Sequence, residues 1–416
     1  MKKNNYKLLL ELPLAVLLAV LPISVSLISV SVGVLYFCGI VFLILNRKNI
    51  AWNAFIKEPV ILLVFIFLLW MWISCFIKGA SSDEITRLGQ MTSVIFILPM
   101  IYLCFRFINW KYIIMIFAFS LLVASIFASF KFFAGILSIP IIELSPVLPF
   151  PRNGGFHSSP PYLAGILIGG FYIAFALFAF PYKERLFRNT KLLKYISFIV
   201  LLFIILGIGV TQTRGLWIAI FVGGLVNYIL IRQYIKNSVF ILSFLLIYTI
   251  LMWLLLFYLV PEYIDRIFSF LERIMLFNDL RINLYKLGLK IGLENPVFGV
   301  GTTGYLKAFS IDPEFAMNRF KHWHAHNDLI QIFVIGGFPL LISFIGLLLV
   351  IYYRLISFLK MNIQNIYNSY VGKVLLCSLI SLLIYGMTDY IIFSPTTGYL
   401  YWLILGVTAK YTYHYK

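Results

Sequence analysis

No residue between Glu11 and Arg47 carries a charge, and apolar runs of the same character return repeatedly to the end of the chain. Inside a bilayer no water is available to satisfy backbone N–H and C=O groups. A run of about 20 such residues therefore folds as a transmembrane helix, which closes its hydrogen bonds on itself. Cut at that length, the sequence predicts spans at 8–28, 30–45, 59–77, 91–109, 112–133, 160–181, 193–211, 214–231, 238–260, 327–353, 372–393 and 395–413. The fold class expected is an all-α polytopic membrane protein of about 12 transmembrane helices, forming a single integral membrane domain over residues 1–416. A water-facing surface around one core is excluded, because 62% of the residues are hydrophobic and only 12% charged.

The N-terminal run is too long for a secretory signal and has no small-residue cleavage site, so it reads as a retained first span. The span at 327–353 is overlong and holds Gly336-Gly337-Phe338-Pro339 in its middle, which predicts a short interfacial helix followed by the true span. Cys38, Cys75, Cys104 and Cys377 lie inside apolar runs without metal-ligand spacing and read as packing residues.

The net charge of +18 is spread between the spans, so nucleic acid is not an expected partner. It orients the chain instead. With both termini on the inner side, 20 of the 33 Lys and Arg fall on that side and 12 of the 15 acids on the other. The outer side then carries the loop 134–159, the junction "TQTRG" at 211–215 and a long loop at 261–326. A loop as long as the last is uncommon unless it is functional.

Four outer constellations can carry chemistry. In "TQTRGLWIA", Arg214 has no carboxylate nearby in sequence. It can snorkel to headgroups, or hold a phosphate with its fork of donors, Gly215 allowing close approach. In "NDLRINLYKLGLKIGLENPVFGVGTTGYLKAF", Arg281, Tyr285 and Gly288 recur at roughly helical spacing on a helix that ends at Asn295-Pro296. Its "GxGxxG" at Gly299–Gly304 follows no strand, so it is not a dinucleotide fingerprint. In "HWHAHN", His322, His324 and His326 at i, i+2 and i+4 have the spacing for a metal, but no Cys and no H-E-x-x-H glutamate accompanies them. An interfacial cluster is a second use for them. A third is a neutral imidazole as general base, with His326 favoured because Asn327 follows and a helix begins there. In "PFPRNGGFHSSPPYLAG", Arg152 is either a solvated loop residue or a further phosphate-binding cation. The spans themselves are nearly free of ionisable residues, which argues against a transporter. Asp389, near the outer end of its span, is the main exception.

Over about residues 145–345 these segments together resemble the O-antigen ligase and polymerase family of polytopic glycosyltransferases, the ligases in particular. "TQTRGLWIA" looks like the family's Thr/Ser-Arg-Gly-Trp helix start. "RINLYKLGLKIGLENPVFGVG" is similar to its Arg, aromatic, "NP-x-x-G-x-G" stretch, and "HNDLIQIFVIGG" to its His-Asn, nine residues, Gly motif. The ligase pattern continues Gly-x-x-Gly/Thr/Tyr, whereas Phe338, Pro339 and Leu340 follow Gly337 here, so both ligase and polymerase remain open.

The resemblance implies a C-type glycosyltransferase-like fold in the bacterial inner membrane, with cytoplasmic termini and residues 261–326 as a large periplasmic loop. It implies transfer at the periplasmic face, without metal or nucleotide cofactor, from an undecaprenyl-diphosphate-linked glycan donor to a lipid A-core acceptor. A polymerase would use a second lipid-linked repeat as acceptor. His326 is the expected base, and Arg214 and Arg281 are the expected cations for the leaving diphosphate. Arg152, His324, Asn327 and Tyr285 are expected to bind substrate, and membrane lipids surround the chain.

Overall fold

The computed structural model describes residues 5–136, 154–157, 159–179, 190–234, 238–259, 280–312 and 323–414. Every long element among them is helical: α1 (Leu8–Val20), α2 (Val25–Leu45), α3 (Pro59–Ile77), α4 (Ser82–Cys104), α5 (Trp110–Ile136), α6 (Pro160–Ala179), α7 (Thr190–Thr211), α8 (Arg214–Ile231), α9 (Ser238–Leu259), α10 (Leu280–Glu294), α11 (Gly304–Ile311), α12 (Asp328–Met361), α13 (Ile366–Gly386) and α14 (Thr397–His414). Each of the segments read as a span falls on a helix. Nine of the described helices are long and apolar enough to cross a membrane.

The other three differ for identifiable reasons. Only 13 residues make up α1, because the chain turns at 21–24, where Pro22 lacks an N–H and the Ser24 hydroxyl caps the start of α2 by accepting from Leu27 N–H at 3.4 Å. The cut between the first two spans thus lies earlier than 28–30. In α9 the apolar stretch Ser243–Leu255 is short. Although full length, α14 is rich in Tyr and Thr and is buried along most of its length, so its outer face need not suit lipid. Around the bundle, Phe37, Phe119, Phe221 and Leu349 stand more than 60% exposed, an apolar perimeter that water would not tolerate and acyl chains would.

Packing follows the apolar faces. The strongest pairings are α6 with α7, α4 with α14, α3 with α12, and α8 with α13. At one end of the bundle Arg354 pairs with the buried Glu58, and Tyr102 donates to the same carboxylate at 3.0 Å. At the opposite end lie the starts of α4, α6, α8, α10 and α12.

That end owes its shape to a break in α12. Gly336 and Gly337 leave helical geometry, as the "GGFP" sequence predicts. Gly337 takes φ 69°, ψ −164°, a conformation essentially reserved for glycine, and a Cβ there would meet Pro296 O at 2.3 Å. The freed carbonyls find partners in the glycine-rich stretch after α10. Val300 N–H donates to Val334 O at 2.8 Å and Gly301 N–H to Ile335 O at 3.2 Å, while Phe338 N–H returns a bond to Pro296 O at 2.7 Å. Trp70 Nε1–H donates to Gly336 O at 2.8 Å. The glycines around 299–304 thus serve backbone-to-backbone docking. Glu84, in the first turn of α4, fastens the next piece by accepting from Thr303 Oγ1 and, at 3.3 Å, from Lys307 Nζ.

One predicted span is misplaced. The helix expected at 372–393 is α13, which ends at Gly386, and Met387–Thr396 is irregular. Ile391, Ile392 and Phe393 extended the apolar run, but they are buried inside protein, where non-helical backbone is tolerated if its polar groups are satisfied.

Candidate functional site

The irregular segment after α13 is where the site is assembled. Three consecutive residues, His326-Asn327-Asp328, each grip a different part of it. Asp328 Oδ1 accepts from Ile391 N–H at 2.9 Å and Ile392 N–H at 3.3 Å. Asn327 Nδ2 donates to Met387 O at 3.0 Å, while its Oδ1 caps α12 by accepting from Ile330 N–H at 3.1 Å. His326 Nδ1 lies 3.1 Å from Asp389 Oδ1. From α10, Arg281 Nη1 donates to Thr388 O at 2.7 Å, and the Tyr285 hydroxyl reaches Met387 O at 3.2 Å and His326 O at 3.3 Å. Chain segments some 60 to 100 residues apart in sequence are thereby locked to one turn.

His326 is held in the left-handed region at φ 52°, and Gln212, two residues before Arg214, at φ 50°. They are the two non-glycine residues with positive φ among the described residues, and both lie in motifs picked out by the sequence. Such conformations cost of order 1–3 kcal/mol and persist where surrounding structure imposes them.

Burial pushes the Asp389 carboxyl up, but the hydrogen bond and charge of His326, then the charges of Arg281 and His324, outweigh it and hold the group down at about 2. Asp389 is therefore ionised at neutral pH and accepts the Nδ1–H of His326. That assigns the lone pair of the neutral ring to Nε2. His324 supports the arrangement: its ring stacks on Tyr390 with centroids 4.6 Å apart, and its Nδ1 lies 3.3 Å from His326 N–H.

Arg214 opens α8. A Cβ on Gly215 would meet Thr388 Oγ1 at 2.0 Å, so the start of α8 presses on the same turn whose carbonyl Arg281 holds. Arg214, Arg281 and His326 thus gather at one end of the bundle around Thr388-Asp389. Arg152 and His322 lie outside the described residues.

Beside His326 opens a cavity of about 380 Å³, lined by Arg87, Trp323, His324, His326, Asp389 and Tyr390 among others. Arg214, Arg281, Tyr285 and Asn327 do not line it. The imidazole therefore lines the cavity, while Arg281 and Gly215 contact Thr388, the neighbour of its partner Asp389, without lining it. Asp389 stood out in the sequence only as an ionisable residue near a span end. Arg87, Trp323 and Tyr390 carried no signal: "SDEITRLG" lies ahead of the apolar run that begins at Met91, and Tyr390 sits in an apolar run.

His324, His326 and Asp389 offer donor atoms that all lie within 4.8 Å of one another, a set whose chemistry suits a divalent cation. No metal was expected from the sequence. A cation there would take over the Asp389–His326 hydrogen bond, so the two uses of the cluster are alternatives.

A second, apolar cavity of about 520 Å³ runs between α6, α7, α8 and α9, past Trp217, Leu225, Tyr228 and Trp253. Trp217 is three residues into α8 from Arg214, and it packs edge-on to Trp253 at 4.2 Å.

No curated protein matches the chain. The profile of a family described as O-Antigen ligase matches residues 198–345. That stretch runs from α7 through the break in α12 and contains Arg214, Arg281, Tyr285, His324, His326 and Asn327, but neither Asp389 nor Arg87. Over it, the chain is similar to O-antigen ligases.

Proposed function

We propose that this protein is a polytopic glycosyltransferase of the O-antigen ligase type, moving a glycan from undecaprenyl diphosphate to a sugar hydroxyl of lipid A-core. The observation that carries the reading is the Asp389–His326 pair, whose imidazole lines a sugar-sized cavity while Arg281 and the start of α8 meet at the adjoining Thr388. The acceptor hydroxyl enters the cavity and attacks the anomeric carbon. The new C–O bond forms as the bond to the diphosphate oxygen breaks, and the hydroxyl proton passes to His326 Nε2. Asp389 stabilises the imidazolium that results. A base so placed contributes about 10²- to 10⁴-fold. Arg281 and Arg214, with Arg152 as a further cation, stabilise the charge that grows on the leaving diphosphate. A single displacement inverts the anomeric centre. The reaction as drawn uses no metal or nucleotide.

The polyprenyl chain suits the apolar cavity between α7, α8 and α9, which begins within a turn of Arg214. There, each buried CH₂ contributes about 0.8 kcal/mol. His324, Asn327 and Tyr285 orient the substrates and the base. In this reading the termini are cytoplasmic, the site faces the periplasm, the bundle crosses the inner membrane about 12 times, and membrane lipids cover its perimeter.

The polymerase reading shares this diphosphate site and differs in the acceptor. It is kept because Phe338-Pro339-Leu340 after Gly337 departs from the ligase pattern. The test is to give purified protein a lipid-linked glycan with either lipid A-core or further lipid-linked glycan. Glycan on lipid A-core supports the ligase, and a lengthened lipid-linked chain supports the polymerase. Lipid movement across vesicles without release of polyprenyl diphosphate would overturn both.

A further inference from the structure

The cavity beside His326 has a feature that the transfer chemistry leaves unused. Arg87, in the second turn of α4, lies with its guanidinium carbon 3.9 Å over the ring of Trp323, at the wall of the cavity that also holds His324 and His326. A guanidinium over an indole face gains a cation–π contact and keeps its edge donors available to a ligand. Among the described residues no carboxylate lies within 4 Å of Arg87. The one acid lining the cavity, Asp389, is engaged by His326 and Tyr390 N–H. The cavity therefore carries a guanidinium that no carboxylate among the described residues pairs with, while the acceptor oxygen Oδ1 of its one acid is already occupied.

The rest of the lining suits a sugar ring. Trp323 is 45% exposed and presents an aromatic surface, and the hydroxyls of Ser159, Ser394 and Thr397 can exchange hydrogen bonds with ring hydroxyls. The volume of about 380 Å³ lies within the ~300–1,000 Å³ typical of small-molecule sites and holds a short glycan, not a polyprenyl chain.

We propose that Arg87 over Trp323 is a specificity element that recognises an anionic group, a phosphate or a carboxylate, on the acceptor sugar bound beside His326. The inference rests on reading this cavity as the acceptor side of a glycosyltransferase. It assigns the two sets of cations separately: Arg214 and Arg281 to the donor's diphosphate, Arg87 to an acidic acceptor.

The test combines binding with turnover. Binding of three core-type oligosaccharides to purified full-length protein is measured by calorimetry: one phosphorylated, its dephosphorylated form, and one bearing a uronic acid in place of the phosphate. Wild-type protein is expected to favour an anionic glycan over the neutral one by roughly tenfold or more, as charge-assisted bonds do. The uronic-acid arm shows whether carboxylate serves as well as phosphate. Arg87→Gln is expected to bring that ratio near one, and Arg87→Lys to restore part of it, which an unfolded variant would not do. In turnover, Arg87→Gln is expected to raise the KM for anionic acceptor rather than that for donor. Equal loss on charged and neutral glycans, or a rise confined to donor KM, would overturn the proposal. If wild-type protein discriminates the glycans but transfers nothing, the subsite stands and the transfer reading falls.

Discussion

Asp389→Asn isolates the charge of the Asp389–His326 pair from its geometry. Asp389 Oδ1 accepts both the His326 Nδ1–H, at 3.1 Å, and the Tyr390 N–H, at 2.8 Å, while Oδ2 accepts from the Tyr385 hydroxyl at 3.5 Å. An asparagine with its oxygen at the Oδ1 position keeps both bonds and turns its NH₂ toward a hydroxyl that can accept. What is lost is the negative charge. In the ground state that turns a charge-assisted bond into a neutral one, a difference of about 1–1.5 kcal/mol, or roughly tenfold. In the transition state an imidazolium forms. The attraction forfeited at 3.1 Å with an effective dielectric near 20 is then at most about 5 kcal/mol. The turnover number is accordingly expected to fall between about 10- and 5 × 10³-fold, with donor KM little changed. Quenched-flow release of polyprenyl diphosphate at limiting and saturating donor reads both. Near-normal turnover would show that His326 does not draw on Asp389 and would refute the reasoning.

The other predictions concern the scaffold and the alternative use of the cluster. Gly337→Ala forces a side chain into a glycine-only conformation and against Pro296 O. It is expected to cost at least about 1–3 kcal/mol, read as earlier thermal exposure of the buried Cys75, Cys104 and Cys377 to a thiol-reactive dye; an unchanged midpoint would contradict the docking role given to that glycine. Asp328→Ala leaves the Ile391 and Ile392 N–H groups without their acceptor at about 1–3 kcal/mol each, and is expected to lower both the melting midpoint and turnover, whereas Asp328→Asn, which keeps an acceptor oxygen, should do less. Exhaustive chelation is expected to leave turnover unchanged. Loss of activity restored by one divalent cation would instead assign His324, His326 and Asp389 to a metal.

Local signals in the sequence carried much of this architecture, and long-range ones did not. Pro59 and Arg214 mark their helix starts directly, and Gly336-Gly337 inside an overlong run betrays the break in α12. Arg214, Arg281 and His326 could be singled out because a cation or an imidazole at the threshold of an apolar span is unusual in itself. The family resemblance implies their convergence, but its structural basis could not be read, since it depends on a turn at 387–392 lying more than 60 residues beyond His326. That turn was disguised: Ile391-Ile392-Phe393 satisfies a hydropathy window whether it faces lipid or packs inside protein. Arg87 was invisible for the converse reason, because a charge in the first turns of a helix is ordinary until Trp323 is seen beneath it. The helix start at Ser82 was missed although Ser81 and Glu84 form a capping box, because the apolar pattern begins only at Met91.

The central claim is a division of labour between base and cations, and donor affinity measured alongside single-turnover transfer tests it most directly. His326→Ala is expected to abolish transfer while binding the lipid-linked donor nearly as wild-type does, and Arg281→Ala to weaken both binding and transfer. Near-normal turnover in the His326→Ala protein would contradict the account.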